Sequence, residues 1–209
     1  MLNEILCLCV ANEANHTNRL MTLDEVSENV TILLAFYHPD NQSDCDQLNQ
    51  LQQNGVELIA LVDADDTRQL PERAFAMICC DDAKFIAQSI CNAVTPENSV
   101  IAIDLVDLLA TLKGNVFYYQ RFTSGGDHRI QMIIDQCKNI RSAPSLEHCF
   151  CHGDFDMNEL IELFSDCDAE VSLSFTLDHD FAVDDEIIVD MLYSPISKSD
   201  SDSSHEIQA

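Results

Sequence analysis

Apolar runs alternate with polar segments along this chain, and their lengths predict an α/β protein. In the first half, near-continuous apolar runs cover residues 5–10, 30–37 and 56–62, and each ends in a polar segment. Runs of this length without strict alternation are typical of strands that are buried on both faces, as in a parallel sheet. A shorter run at residues 74–80 predicts a fourth strand of the same kind.

Helical patterns lie between these strands. Leu48 and Leu51 mark a short helix that ends at Asn54 and Gly55, a common pair at a helix C-terminus. A second helix is predicted to begin at Asp81 or Asp82 as N-cap and to run to about residue 94. Strand, helix and strand of these lengths form a βαβ unit, so the first half is predicted to be a truncated Rossmann-like parallel sheet.

The second half has shorter elements in a different order. We expect helices at 104–112, from 124–127 to about 140, and at 157–164, with strands at 116–122, 146–151, 170–177 and 186–193. An acidic loop joins the last two strands, which favours a mixed sheet. The predicted organisation is therefore a reduced Rossmann-like region at 1–99, an α+β region at 100–194, and a Ser-rich acidic tail at 195–209 that is too polar to fold.

The charge of the chain limits its partners. It has 10 Lys and Arg against 37 Asp and Glu, a formal net charge of −27. Phosphate backbones and anionic lipid head groups are normally bound by clustered Lys and Arg. We therefore expect no nucleic acid and no membrane as partner. An acidic surface can also mimic nucleic acid, but composition alone does not show an ordered acidic face.

The ten cysteines could indicate a disulfide framework, but the N-terminus lacks the basic segment and the long apolar segment of a secretion signal. No apolar run approaches the ~20 residues that span a bilayer. Cys79 and Cys80 are adjacent, which does not suit a disulfide network. Reduced, mostly buried thiols in a cytoplasmic protein are therefore expected.

Four segments of the second half occur in an order that one protein family shares. Residues 102–108 (AIDLVDL) contain a D-x-x-D pattern, and they are followed by 117–129 (FYYQRFTSGGDHR), 149–159 (CFCHGDFDMNE) and 170–193. In spacing and order these segments resemble the C-terminal domain of the cell-division GTPase FtsZ and, more distantly, of tubulin. The resemblance implies the α+β fold of that domain, with a mixed sheet, over residues 100–194.

The same resemblance implies an assembly role for the D-x-x-D carboxylates. In FtsZ filaments the equivalent carboxylates reach the nucleotide of the neighbouring subunit and help to position the attacking water. We therefore expect Asp104, Asp107, Leu105 and Leu108 to form a partner-binding site. An alternative stays open, in which Asp104 is an N-cap and Asp107 a first-turn acid that favours the helix dipole. Ala102 replaces the asparagine of the family pattern, which weakens a catalytic role.

Two phosphate loops of the family have counterparts here that lack glycine. Residues 5–21 resemble the family's first strand, loop and helix, and residues 30–62 resemble a later strand, phosphate loop, helix and strand. Phosphate cradling needs glycine for its backbone dihedrals and for close approach. The loop positions hold instead Ala11, Asn12, Glu13, His38, Pro39 and Asp40. We therefore expect no GTP binding, no enzymatic activity and no cofactor.

Two clusters were candidates for a metal site. His148, Cys149, Cys151 and His152 are close in sequence, but neighbours on a strand point to opposite faces, whereas zinc sites favour C-x₂-C turns. Acids at 178–180 and 184–186 surround the turn before the last strand, where such acids usually solvate the turn. We expect no metal at either cluster.

These observations predict a non-catalytic protein that binds FtsZ or another tubulin-like protein and caps its assembly. The D-x-x-D face would dock on the nucleotide-bearing end of a true subunit, whereas the degenerate end would accept no further subunit. The alternative is that the fold has been reused as an acidic adaptor that is unrelated to polymerisation. The pattern does not predict the oligomeric state of the chain itself.

Overall fold

The computed structural model describes residues 2, 4–11, 18–41, 44–95, 99–141, 146–165, 171–176 and 185–194. The predicted tail at 195–209 lies outside the described residues. So do Asn12 and Glu13 of the first predicted phosphate loop, and the acids at 178–180 and 184.

Within these ranges, ten strands form one sheet with five α-helices against it. The strands are β1 (Leu6–Ala11), β2 (Asn18–Thr22), β3 (Val30–Tyr37), β4 (Glu57–Val62), β5 (Ala76–Cys79), β6 (Ser99–Ile101), β7 (Val116–Gly125), β8 (Leu146–Gly153), β9 (Ser172–Thr176) and β10 (Glu186–Tyr193). The helices are α1 (Cys45–Gln53), α2 (Ala83–Ala93), α3 (Leu105–Leu112), α4 (Arg129–Arg141) and α5 (Met157–Phe164), with a short 3-10 helix at Leu23–Glu25. The strand order is β2-β1-β3-β4-β5-β7-β10-β8-β9-β6.

The parallel part of the sheet follows the predicted βαβ pattern. β3, β4, β5 and β7 are successive parallel neighbours. Side chains of β3 alternate between two cores: Leu34 and Phe36 pack with residues of α2 and α3, whereas Ala35 and Tyr37 pack with residues of α1. The continuous apolar run of β3 reflects this burial on both faces.

The second half of the sheet is mixed, as predicted. β10 is antiparallel to both β7 and β8, β8 is parallel to β9, and β9 is antiparallel to β6. A separate core cluster combines residues of α4 and α5 with Phe122, Cys149 and Val189 of the strands. Each helix and strand predicted for this half has a counterpart, and α5 and β10 have the predicted bounds. The helix start predicted at 124–127 is wrong, because β7 continues to Gly125 and α4 begins at Arg129. The mixed α/β fold class is therefore confirmed.

The chain after β1 departs from the expected strand, loop and helix. β2 pairs antiparallel with β1, and β1 is itself antiparallel to β3. The neighbouring residues Leu20 and Met21 pack into cores on opposite faces of the sheet, which a strand permits and a helix does not. The helix expected at the end of the 5–21 segment is therefore wrong, because the described residues 18–21 form a strand.

The sheet runs without a break across residue 100, because β5 pairs with β7. One core cluster also contains residues of both halves, among them Leu8, Ile86 and Phe150. β6, which follows α2 in sequence, forms the far edge of the sheet. The division into two regions at residue 100 stays a prediction, and the observed sheet is common to both.

The described cysteines are free thiols. Nine described cysteines are free, eight of them are buried, and Cys45 is exposed. The prediction of mostly buried thiols is therefore confirmed for these residues.

None of the described helices combines the length and the apolar character that crossing a membrane requires.

The N-terminus of α2 gives a direct test of the observed capping. The Asp82 side chain accepts hydrogen bonds from the backbone N–H groups of Lys84 at 3.0 Å and Phe85 at 3.2 Å. Asp82→Ala should lower the free energy of unfolding by about 1 kcal/mol, since both bonds are lost. Asp81→Ala, at the exposed preceding residue, should change it by less than about 0.5 kcal/mol. Urea unfolding followed by circular dichroism measures both, and equal losses would contradict the assigned cap.

Candidate functional site

The first turn of α3 presents an exposed acidic surface. Asp104 is the N-cap, and its Oδ1 accepts a hydrogen bond from the backbone N–H of Val106 at 2.7 Å. Asp107 is exposed, and Val106 is 72% exposed. Within the described part of the chain, neither carboxylate forms an ion pair. We refer to Asp104, Val106 and Asp107 as the acidic turn.

The two leucines of the predicted partner site face the core instead. Leu108 is 0% exposed, and Leu105 is partly buried against the same cluster. With 3.6 residues per turn, these positions and Leu112 form the buried stripe of α3. Leu108 is therefore not available to a partner in this structure. Asp104 occupies the N-cap position of the alternative interpretation, and a role of either carboxylate in binding stays a prediction.

The second predicted phosphate loop follows β3 at the carboxyl end of the parallel strands. His38 is buried, Pro39 is half-buried, and Asp40 is exposed. The Arg68 guanidinium donates to both oxygens of Asp40 at 2.8 and 2.9 Å, and its Nε donates to Asp66 at 2.7 Å. These hydrogen bonds hold the pKa of Asp40 and of Asp66 below the usual value. The Arg68 cation is thus already paired with two carboxylates at this edge of the sheet.

A carboxylate also occupies the neighbouring helix N-terminus. Asp82 accepts from the first N–H groups of α2, which are the groups that bind phosphate in many nucleotide sites. The carboxyl end of parallel strands is the usual ligand site of α/β sheets. In this protein the same edge carries three further exposed acids, namely Asp63, Asp65 and Asp81.

Ala11, the described residue of the first predicted phosphate loop, lies at the other end of the paired strands. Ala11 ends β1, and its partner on β3 is Val30, the first residue of that strand. His38 follows the last residue of β3, so Ala11 and His38 lie at opposite ends of an antiparallel pair. The structure therefore does not bring Ala11 and His38 together. The acidic turn lies near the C-terminal end of α2, because the adjacent Ile103 donates its backbone N–H to the carbonyl of Ala93 at 2.8 Å. The Asp40 loop lies instead at the carboxyl end of the parallel strands, where Asp82 begins α2.

A buried polar network lies where α2 crosses the mixed part of the sheet. It is not among the sites that were predicted from the sequence. Asp190 of β10 is fully buried. Its Oδ1 accepts from Tyr119 at 2.8 Å and from Arg121 Nε at 2.7 Å, and its Oδ2 accepts from Ser89 at 2.6 Å and from Arg121 Nη2 at 2.7 Å. His152 Nε2 lies 3.3 Å from Oδ2. We refer to these five residues as the Asp190 network.

The charges of the Asp190 network are internally balanced. Burial alone would raise the pKa of Asp190, but the hydrogen bonds from Arg121, with His152 close by, outweigh it and lower the pKa. Burial, followed by the negative charge of Asp190, raises the pKa of Tyr119 well above its usual value. Asp190 is thus ionised beside a neutral phenol. The Arg121 guanidinium carbon lies 4.0 Å from the ring centroid of Phe85, which covers the outer side of the network.

A signal for this network exists in the sequence. Asp190 is the one acid within the apolar run 187–193, and a lone acid there needs a buried partner. Arg121 is its direct cross-strand neighbour on β7. Pairing the two last strands correctly would therefore have pointed to the ion pair. The contribution of Ser89, which is 101 residues from Asp190, carries no local signal.

The segment around β8 shows the predicted alternation. Cys149 and Cys151 pack in the core cluster under α4 and α5, whereas His152 meets Asp190 on the other face. His148 is buried beside Phe150, with ring centroids 6.1 Å apart, and neither ring nitrogen has a hydrogen-bond partner among the described residues. Burial lowers the pKa of His148 to about 4. In the described ranges, His, Cys, Asp and Glu form no group that could hold a metal ion.

Comparisons with known proteins give a distant structural similarity. No family model matches the chain, and no curated protein matches it in sequence. Among solved structures, a point mutant of FtsZ from M. jannaschii matches with 11% identity and a TM-score of 0.49, covering 71% of this chain and 59% of that one. The empty FtsZ dimer from M. jannaschii matches with 10% identity and a TM-score of 0.45, covering 72% and 58%. This chain therefore spans less than two thirds of either FtsZ chain.

Removing the Asp190 carboxylate should be strongly destabilising. Asp190→Ala leaves the Arg121 charge without its buried partner, which typically costs about 3–5 kcal/mol. Ser89→Ala removes the donor to Asp190 and the acceptor of a 3.3 Å hydrogen bond from Arg121, and it should cost about 1.5–3 kcal/mol, since both partners are charged. The double variant Arg121→Met with Asp190→Leu should lose less than Asp190→Ala, because an apolar pair leaves no unpaired charge. Urea unfolding gives all three values, and a double variant at least as unstable as Asp190→Ala would argue against this account.

The buried His148 should make stability depend on pH. In the unfolded chain its pKa is near the ordinary 6.5, whereas in the folded protein it is about 4. Between these values the unfolded state binds more protons, so stability is lost as the pH falls, by up to about 3 kcal/mol. His148→Phe can keep the stacking on Phe150 and should remove this loss. Its stability relative to the wild type should therefore increase between neutral pH and about pH 4.

The control for this measurement is His128→Phe, because His128 is exposed. Both variants should be unfolded with urea at a series of pH values, since carboxylates that titrate in the same range affect all three proteins alike. A difference between His148→Phe and the wild type that stays constant with pH would contradict burial of a neutral imidazole.

Proposed function

We propose that this chain is a non-catalytic protein that binds FtsZ or another tubulin-like polymer and limits its assembly. The observation that carries the proposal is the exposure of the acidic turn. Asp104 and Asp107 are both exposed on the first turn of α3, and Val106 between them leaves 72% of its surface in solvent. A carboxylate pair with an apolar residue at its centre suits contact with another protein.

The resemblance in sequence gives the turn its proposed partner. In the FtsZ pattern the D-x-x-D carboxylates face the neighbouring subunit of a filament, and here Asp104 and Asp107 keep that spacing. Capping of α3 uses one oxygen of Asp104 for the Val106 N–H group. The cap fixes the carboxylate at the start of the helix and leaves it exposed. The capping role and the proposed docking role are thus compatible.

The carboxyl end of the parallel strands supports the non-catalytic part of the proposal. A bound triphosphate would need cations and free N–H groups at this edge. Arg68 is already paired with Asp40 and Asp66, and Asp82 already accepts from the N-terminus of α2. Placing several phosphate charges beside these carboxylates would be electrostatically unfavourable.

The separation of the two surfaces supports a one-sided interaction. The acidic turn lies near the C-terminal end of α2, next to Ile103, whose backbone N–H donates to the carbonyl of Ala93, whereas the Asp40 loop lies at the carboxyl end of the parallel strands, where α2 begins. A head-to-tail filament grows only while every subunit offers both of its surfaces. A subunit that binds through the acidic turn alone would therefore end the filament. An acidic adaptor role, independent of polymers, is the alternative that the following experiment separates from this one.

The test measures polymer mass of FtsZ with GTP by sedimentation and light scattering in the presence of this protein. The wild-type protein should reduce polymer mass when it is present at well below the FtsZ concentration. Asp104→Asn with Asp107→Asn should lose most of this effect, since both charges are removed while asparagine preserves the N-cap. Asp63→Asn with Asp65→Asn makes the same charge change at another exposed site and should retain the effect.

Two outcomes would count against the proposal. Unchanged polymer mass and unchanged GTP turnover at an excess of this protein would reject polymer binding. Equal inhibition by the two double variants would show that overall negative charge acts, rather than the acidic turn, and would favour the adaptor alternative.

A further inference from the structure

A second surface of the protein is apolar rather than acidic. It is a groove of about 390 Å³ between α5 and the β9–β6 edge of the sheet. We refer to it as the α5 groove. Its walls include Met157, Ile161 and Phe164 on one side and Ile101, Val171 and Leu173 on the other.

The α5 groove exposes large aliphatic side chains. Met157 is 64% exposed and Ile161 is 62% exposed, whereas Leu160 and Leu163 of the same helix are buried in the core. Met157, Ile161 and Phe164 recur at the spacing of successive turns, so they form a second apolar stripe on α5. Adjacent exposed residues of this kind are typical of a protein-binding surface, whereas isolated ones are not informative.

The charges beside the α5 groove have one sign. α5, β6 and β9 contain no Lys or Arg, and two exposed acids, Asp154 and Asp156, lie just before Met157, which lines the groove. Arg129 reaches this region from α4, but it donates to both oxygens of Glu159 at 2.8 Å. The rim of the groove beside Met157 is therefore anionic, and it is complementary to a partner that carries Lys and Arg.

We propose that the α5 groove binds a cationic amphipathic helix of another protein. Apolar side chains at positions i, i+3 or i+4, and i+7 of that helix would enter the groove beside the Met157, Ile161 and Phe164 stripe. Its Lys and Arg residues would lie against Asp154 and Asp156. This binding is independent of the proposed role of the acidic turn.

Other occupants fit the α5 groove less well. A second copy of this chain would bring a further net charge of −27 and the same anionic rim. Residues 195–209 of this chain contain only two large aliphatic residues, Ile196 and Ile207, which are too far apart for one groove, and the acids there outnumber the single lysine. An added strand would find only the three residues of β6 to pair with.

The probe for a binding experiment is a labelled designed helix of sequence LKKLLKLLKKLLKL, followed by fluorescence anisotropy against the full chain. Met157→Gln with Ile161→Gln should weaken binding by about tenfold or more, because both exposed anchors of the groove are lost. Met132→Gln with Val106→Gln removes two exposed apolar side chains elsewhere and should change the affinity by less than about twofold. Asp104→Asn with Asp107→Asn should likewise leave it unchanged, which separates this surface from the acidic turn.

Peptide controls separate shape from charge. A peptide with every lysine replaced by glutamate should not bind, and a peptide of the same composition in scrambled order should bind about tenfold more weakly. The proposal is overturned if the Met157→Gln with Ile161→Gln variant binds as tightly as the wild type, if the glutamate peptide binds equally, or if the scrambled peptide does.

The other occupants give distinct results. Sedimentation velocity without peptide should show no dimer that depends on Met157 and Ile161, and such a dimer would overturn the proposal in favour of a second copy. Ile196→Gln with Ile207→Gln should leave the peptide affinity unchanged. A tighter affinity in that variant would show that residues 195–209 compete for the groove and would also overturn the proposal.

Discussion

The burial of a single carboxylate, that of Asp190, constrains the mixed part of the sheet and the helix above it. A charge in the core is tolerated only where hydrogen bonds and an opposite charge replace water. The Asp190 carboxylate accepts hydrogen bonds from Ser89 of α2 and from Tyr119 and Arg121 of β7, and His152 of β8 lies beside it. These elements must therefore keep one relative arrangement. Because β7 also pairs with β5, that arrangement extends to the parallel half of the sheet.

The chain has only 10 Lys and Arg against 37 Asp and Glu. The pairing of these few cations determines where the surface is acidic. Arg121 is used by Asp190, Arg68 by Asp40 and Asp66, and Arg129 by Glu159 and Asp185. Each of these guanidinium groups stabilises the position of a loop or strand and is then not available to neutralise other acids. The carboxylates of the acidic turn, and Asp154 and Asp156 beside the α5 groove, are exposed and can interact with a cationic partner.

Sequence patterns predict the elements that depend on local order and miss those that depend on distant partners. β3 and β10 have their predicted bounds because continuous apolar runs end at polar or turn residues, and Asp82 and Asp156 mark helix starts as caps. β6 has three residues and no pattern of its own, so its place at the sheet edge depends on β9. The Asp190 network joins residues up to 101 positions apart, and no local pattern indicates Ser89. Leu108 belongs to the D-x-x-D segment in sequence and to the core in space.

The two exposed surfaces are coupled to this core through the short segment that follows α2. Ile101 of β6 lines the α5 groove, and Asp104 begins the acidic turn three residues later. Between them, the backbone N–H of the buried Ile103 donates to the carbonyl of Ala93 at the end of α2, at 2.8 Å. The position of both surfaces therefore depends on α2, which Ser89 fixes to Asp190. Loss of the buried carboxylate should disturb both surfaces together, whereas substitutions on either surface act on that surface alone.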